Sequence, residues 1–501
     1  MHQRRWTREK TVEALERRAR DLGVGDFSLS VRQLDRWLAG QLETRPRLAV
    51  CRVVEEEFGR PIEELLSPYV PAPPAGAPVP IAHTGRLRTE EFVSWLADHS
   101  DVDFADLWNA VSDAAQQFEA TPHHQRAVAE RARAAVGRSQ IADAIASYYG
   151  HPDGLYQANI AGRHLRLSVL APPSHRGLAL PLTDPSGSEV VTDTEPVAAL
   201  LPEGVQAAVA RLGAVEVDER VMVNDLLYRL THVQIADTGI HPTFALMDFA
   251  SYALTGDLLE EELVDHLAAD GGGGSMPLRK LYLPSVDHAQ DFSSRYCAGG
   301  PACLTAIARP GGDYALLVQQ RSGRVLNVAG RLAVIPKAFH QPMVDSVAES
   351  AIGSTVEREL EEELFGRADL DQLAGAAGRR AAPRHPLNIS APAAWLMQNP
   401  GRWRLECTAF GVNLVNGNYE FACLLVIEDP TWWELHGHEV EANWETMRLR
   451  CWSTLDTDGL AELAFEPNWS NEGLFAFIEG LRRLTVIGGD RVRLPSIELT
   501  R

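Results

Sequence analysis

The chain lacks any run of eighteen consecutive apolar residues, so nothing in it predicts a membrane-spanning helix. It also lacks a CxxC pair. Its six cysteines, at 51, 297, 303, 407, 423 and 451, stand singly and mostly in apolar runs, which removes the usual zinc and dithiol spacings and predicts buried, reduced thiols. The opening Met1-His-Gln-Arg-Arg-Trp6 leads into charged helix without an apolar stretch, so no secretory signal is expected and the cytoplasm is the expected location. Positive charge is in short supply, with 47 Lys and Arg against 68 Asp and Glu for a net of −21. That balance excludes a protein that coats nucleic acid along its whole length. Internal repeats are absent as well.

What is present is an ordinary globular composition spread over 501 residues, too long for one hydrophobic core. Two compositional breaks predict the division. Pro71-Ala-Pro-Pro-Ala-Gly-Ala-Pro-Val-Pro80 is a stiff, extended spacer within a linker at 71–84, and Gly271-Gly-Gly-Gly-Ser275 is a flexible one. The expected fold is therefore multidomain: an all-α head at 1–70, a mixed α/β middle domain at 85–270 and an α+β domain at 276–501. In the middle segment, Phe92, Trp95 and Leu96, then Leu107, Trp108 and Val111, recur at helix-face spacing. Ser139–Ile145 reads as a structural helix, Leu165–Leu170 and Leu178–Leu182 as short strands, and 220–267 as further helices. Its role stays open between dimerisation and sensing.

Charge is not evenly spread. Residues 1–52 hold 12 Lys and Arg against 7 Asp and Glu, a net of +5. Within them, Thr7 to about Leu22 is expected to form one helix with Val12, Leu15 and Ala19 inward. Ser30 is a good cap for the next helix, whose Val31, Leu34, Trp37 and Leu38 turn inward and leave Arg32, Gln33 and Arg36 outward. Gly40 ends it, Arg45 and Arg47 flank Pro46 in the following loop, and a third helix is expected from Leu48 to Phe58.

The stretch from Ser28 to Leu66, with Trp37-Leu-Ala-Gly40, the Pro46 loop and the Pro61–Leu66 ending, resembles the phage-repressor-like (XRE, Cro/C1-type) helix-turn-helix family. The resemblance implies double-stranded DNA as a partner, a homodimer on paired half-sites, base contacts from Arg32, Gln33 and Arg36, and phosphate contacts from Arg45 and Arg47. Long donor side chains on a short helix suit base edges, and loop arginines add a salt-dependent attraction. Upstream, Asp21–Phe27 departs from that family's scaffold helix.

Arg358-Glu-Leu-Glu-Glu-Glu-Leu-Phe-Gly366 is the second stretch with chemical content. On an α-helix Glu359, Glu362 and Glu363 would share one face, and such crowded carboxylates suit a hard divalent cation. The stretch resembles the helical core of the Nudix signature, Arg-Glu-aliphatic-x-Glu-Glu. Tyr314–Arg321 is similar to the strand entering that family's site, and Ile335-Pro336 to the start of its Pro-Gly-Gly turn. Asn416-Gly417 reads as a hairpin turn, and Trp469–Leu481 as a helix capped by Ser470. The resemblance implies Mg²⁺ on Glu359, Glu362 and Glu363, which would also be the catalytic set, and a nucleotide or other small phosphorylated metabolite as ligand. The departures are Lys337-Ala338 in place of Gly-Gly, a loop about six residues longer before Arg358, and Ser350 where the early glutamate belongs.

Two functions follow. One is a transcriptional regulator whose C-terminal domain senses a phosphorylated or nucleotide-type metabolite. The other is a Mg²⁺-dependent pyrophosphohydrolase of a nucleoside-diphosphate-linked substrate, held on DNA by its head. A charged helix without a ligand remains a third reading of 358–366.

Overall fold

The computed structural model describes residues 8–22, 24, 27–38, 48–58, 85–182, 188–191, 200–218, 222–236, 239–269, 275–321, 330–343, 345–365, 389–440 and 446–500. It divides into two compact units, residues 1–82 with 367–394 and residues 83–366 with 395–501.

The described part of the N-terminal segment is helical: α1 (Arg8–Asp21), α2 (Val31–Leu38) and α3 (Leu48–Phe58). Each places its apolar stripe inward, so that Val12, Leu15, Leu34, Trp37, Val50 and Val53 share one core. Ser30 caps α2 as expected, its Oγ accepting from the Gln33 amide at 3.1 Å. An Arg18 Nη2 bond to the Glu56 carbonyl at 3.2 Å ties α1 to α3.

The second unit opens with α4 (Gly85–Asp98), α5 (Phe104–Ala120) and α6 (Arg138–Tyr148), then strands β1 (Leu155–Ile160), β2 (Arg163–Leu170), β3 (Arg176–Pro181) and β4 (Glu189–Val190). Helix α7 (Pro202–Asp218) follows, then β5 (Leu226–Ala236), β6 (Gly239–Asp248) and α8 (Leu258–Ala268). The later elements are β7 (Gly299–Ala308), β8 (Tyr314–Arg321), β9 (Leu332–Val334), α9 (Ile352–Glu359), β10 (Trp403–Asn413), β11 (Tyr419–Ile427), β12 (Thr446–Ser453), α10 (Asn471–Ile487) and β13 (Ile497–Leu499).

One mixed sheet organises the unit, in the order β12-β8-β7-β11-β10-β2-β1-β13, with β3 paired to β10 and β9 to β8. Its centre is the parallel pair β7 and β11, in register from Gly299 opposite Tyr419 to Ile307 opposite Ile427. Both strands are buried throughout, as parallel strands covered on two faces must be. Alternation sorts their side chains. Leu304, Ala306, Leu424 and Val426 join the core beneath α10, whereas Cys303, Ile307, Leu425 and Ile427 join the core that includes Ile352 and Val356 of α9. Helix α10 buries Leu474, Phe475, Phe477, Ile478 and Leu481 completely. Each contributes about 1.5–3 kcal/mol of burial.

This sheet corrects the expected division at 271–275. Strands β1, β2 and β3 of segment 85–270 extend the sheet built by segment 276–501, with Val412 of β10 opposite Leu170 of β2 and Ala158 of β1 opposite Leu499 of β13. The two segments therefore share a core, because neither alone covers all of the sheet. The helices expected across 220–267 are also corrected. β5 and β6 form an antiparallel hairpin inside a three-stranded sheet with β4, and among the described residues of that stretch only those of 249–253 and 258–268 are helical. Tyr228-Arg-Leu-Thr-His-Val-Gln-Ile235 alternates aromatic, β-branched and polar residues as a strand does. The hairpin expected around Asn416-Gly417 is present between β10 and β11, with Gly417 at φ +82°, where a side chain would be strained. Among the described residues, no helix is long and apolar enough to cross a membrane.

Candidate functional site

Sheet geometry places a polar cleft where β7 and β11 begin. Gly299, Gly300 and Pro301 form one wall, and Arg321, Lys337, Asn418, Glu420 and Glu472 supply its polar groups around about 450 Å³ of space. The glycines are required by close approach. A Cβ on Gly299 would lie 1.9 Å from the Tyr419 carbonyl oxygen, and one on Gly300 would lie 2.1 Å from that of Ala338. Small residues there let the 337–339 segment lie against the strand ends.

Lys337 is the hub. Its backbone N–H donates to Glu363 Oε2 at 2.8 Å, and its Nζ donates to Glu472 Oε1 at 3.0 Å. Arg321, the last residue of β8, donates from Nη1 to the Lys337 carbonyl at 3.4 Å and stands 3.7 Å from Glu363 Oε1. Asn413 Nδ2 reaches Glu472 Oε2 at 3.4 Å. Burial favours the neutral form of Glu472, but the charge of Lys337 and its hydrogen bond outweigh this and hold the carboxyl below its usual range. Glu420 shifts the other way, although the charge of Lys337 eases it. Burial, reinforced by the negative charge of Glu472, raises it well above the carboxylate range.

Glu472 also lines a second, smaller chamber, together with Arg138, Glu260, Arg331, Asn413, Ser470 and Asn471 among others. Glu260, which keeps some surface in water, is raised to about 7 by desolvation among these side chains and by Glu472. Arg138 is buried, and desolvation with the like charge of Arg331 lowers it to about 10, still cationic near neutrality.

The acidic helix departs from expectation. α9 stops at Glu359, and Leu360–Leu364 forms a wider π-helical turn. Each residue of such a turn rotates the chain by less than an α-helical residue does, so Glu362 is turned further from Glu359 than an α-helix would place it. All three are buried, as is Glu361, which the helical reading turns away. Glu359 Oε1 accepts from Arg358 Nη2 at 2.7 Å and from its Nε at 3.1 Å, while Glu363 is taken up by the Lys337 amide. Among the described residues, no group of three or more His, Cys, Asp or Glu is placed to hold a metal ion. Glu359 and Glu363 are turned to separate cationic and amide partners.

In the head, Arg32 and Gln33 are exposed on α2, and Arg36 belongs to the same helix. Arg45 and Arg47 lie outside the described residues. The structure thus ties Glu363 to the backbone of Lys337 and leaves Glu359 with Arg358. Glu260, Glu420, Glu472, Arg138 and Arg331 escaped sequence reasoning because five distant segments supply them. One legible signal was an acid, Glu420, inside the otherwise apolar run Tyr419–Ile427. Compared with known proteins, the chain matches no family model and no curated protein.

Proposed function

We propose that this protein is a sequence-specific, DNA-binding transcriptional regulator of the XRE helix-turn-helix type, acting as a homodimer. Its second unit, Nudix-like in the sequence of 358–363, binds a small phosphorylated or nucleotide-type metabolite in the cleft around Lys337. The observation that carries the DNA reading is a short capped helix with Arg32 and Gln33 exposed, inside a segment of net +5 on a chain of −21. Arg and Gln are the side chains that grip guanine and adenine edges in pairs of hydrogen bonds. Arg36 would read bases beside them, and Arg45 and Arg47 would hold phosphates. The ligand reading is supported by the convergence of Arg321, Lys337, Asn418, Glu420 and Glu472 on one polar cleft, with perturbed carboxyls among them.

Genome-wide mapping of bound DNA tests it. The wild type is expected at discrete sites. Arg32→Ala should weaken binding to an isolated site by about 1–3 kcal/mol, or roughly five- to 150-fold, with relaxed sequence preference. Binding that is weak, equal for all sequences and indifferent to Arg32→Ala would defeat the proposal. The hydrolase alternative, with Glu359, Glu362 and Glu363 as catalytic metal ligands, has its own test. Millimolar Mg²⁺ is expected to leave the melting temperature unchanged and to support no hydrolysis of nucleoside-diphosphate-linked compounds. Mg²⁺-dependent turnover abolished by Glu362→Gln would establish the alternative.

A further inference from the structure

The second chamber is built like an anion site. Three helix starts line it: Arg138 and Ile141 in the first turn of α6, Glu260 in the first turn of α8, and Asn471 and Glu472 in the first turn of α10. Helix N-termini carry partial positive charge and exposed N–H groups, and so favour an anion in front of them. Independently of that, Arg138 and Arg331 both line its wall. Arg138 is only 8% exposed, and its hydrogen bond from Nη1 to the Arg166 carbonyl is long, at 3.4 Å. Its Nε has no hydrogen-bond partner among the described residues. A buried cationic donor left without an acceptor costs stability unless one is brought to it. The other polar groups of the chamber are already engaged. Asn471 Oδ1 accepts from the Ser168 amide at 3.0 Å and its Nδ2 donates to Asn413 Oδ1 at 2.8 Å. Ser470 caps α10, and Glu472 is neutralised by Lys337. Glu260 is held toward its uncharged form, which reduces its repulsion of an incoming anion.

We propose that Arg138 and Arg331 form a phosphate-binding subsite, holding a phosphate group while the rest of the ligand extends past Glu472 into the cleft around Lys337. This rests on the ligand-binding reading above and deepens it. It places the phosphate at the helix starts rather than on the acidic residues 359–363. Arg is suited to the task because its planar fork matches phosphate oxygens two at a time.

Calorimetric titration of the full chain with inorganic phosphate, and separately with adenosine 5′-monophosphate, tests the subsite. Saturable phosphate binding is expected, weakened about tenfold or more by Arg331→Gln, as removal of a charge-assisted pair implies. Arg331 is the variant of choice because it is only partly buried, so its loss leaves the core intact, with an unchanged melting temperature as the check. Arg138→Lys, which keeps the charge and loses the fork, should weaken binding by less. Tighter binding of the monophosphate than of phosphate, with the same dependence on Arg331, assigns the site to a phosphate ester. Equal affinity for the two assigns it to free phosphate. No saturable binding by the wild type, or equal phosphate affinity in the wild type and a folded Arg331→Gln, overturns the subsite. Neither result touches the DNA reading, which Arg32→Ala tests separately.

Discussion

Replacing Lys337 by Met removes the cation that neutralises Glu472 inside the cleft. The pair is close, at 3.0 Å, and largely withdrawn from water, with side-chain exposures of 16% and 5%. Removing one partner of a buried ion pair costs about 3–5 kcal/mol, because the other is left charged in a poorly hydrated place. The partial exposure of Lys337 argues for the lower end, about 3 kcal/mol. The second unit holds roughly 390 residues and unfolds with an entropy of about 0.8 kcal/mol/K, at about 2.1 cal/mol/K per residue. The melting temperature should therefore fall by about 4 °C near pH 8. The pH dependence is the sharper test. In the wild type Glu472 lies below its ordinary carboxyl value, so its contribution is present above that value and is lost as pH falls through the native one. In the variant the same carboxyl rises with burial, so its ionisation costs stability as pH increases. The loss should thus shrink toward pH 5, where protonation relieves the stranded charge. Glu420 and Glu260, both also raised and both also eased by Lys337, act in the same direction. Lys337→Met/Glu472→Gln should recover most of the loss, since replacing both halves of a buried pair is often close to neutral. Calorimetric melts at pH 5 and pH 8 decide the matter. An equal fall at both pH values, with no recovery in the double variant, would show that Lys337 acts through packing and would refute the reasoning.

Other outcomes follow from single contacts. Gly300→Ala places a methyl 2.1 Å from the Ala338 carbonyl oxygen and should cost at least about 1–3 kcal/mol, read as a lower urea midpoint at unchanged slope. Glu260→Gln should flatten stability between pH 5 and 7.5 in thermal melts. The raised native value of this carboxyl means that its ionisation removes stability as pH climbs from the ordinary carboxyl range through about 7. Ser30→Ala removes the cap of α2 and should cost about 1 kcal/mol, raising hydrogen exchange of the Val31–Leu38 amides about fivefold while α10 is untouched.

Local patterns in the chain carried the helices of the head, their cap at Ser30, the strand at Tyr314–Arg321, the hairpin around Gly417 and the helix capped by Ser470. Each of these depends on residues within a few positions of one another, through side-chain period, turn chemistry or capping, and such relations survive in one dimension. Tertiary packing decided the rest. The joining of segments 85–270 and 276–501 into one sheet depends on strand partners more than two hundred residues apart, such as Leu170 and Val412, which no local period records. The fate of the acidic helix was decided in the same way. Glu359 and Glu363 look like a metal face along the sequence, but a π-helical turn follows Glu359, and Arg358 and the Lys337 amide are their separate partners. The cleft itself exists only because Arg321, Lys337 and Glu472, far apart in the chain, meet where β7 and β11 begin. Charge and burial at a site are sums over neighbours in space, and those neighbours are assembled only when the sheet closes.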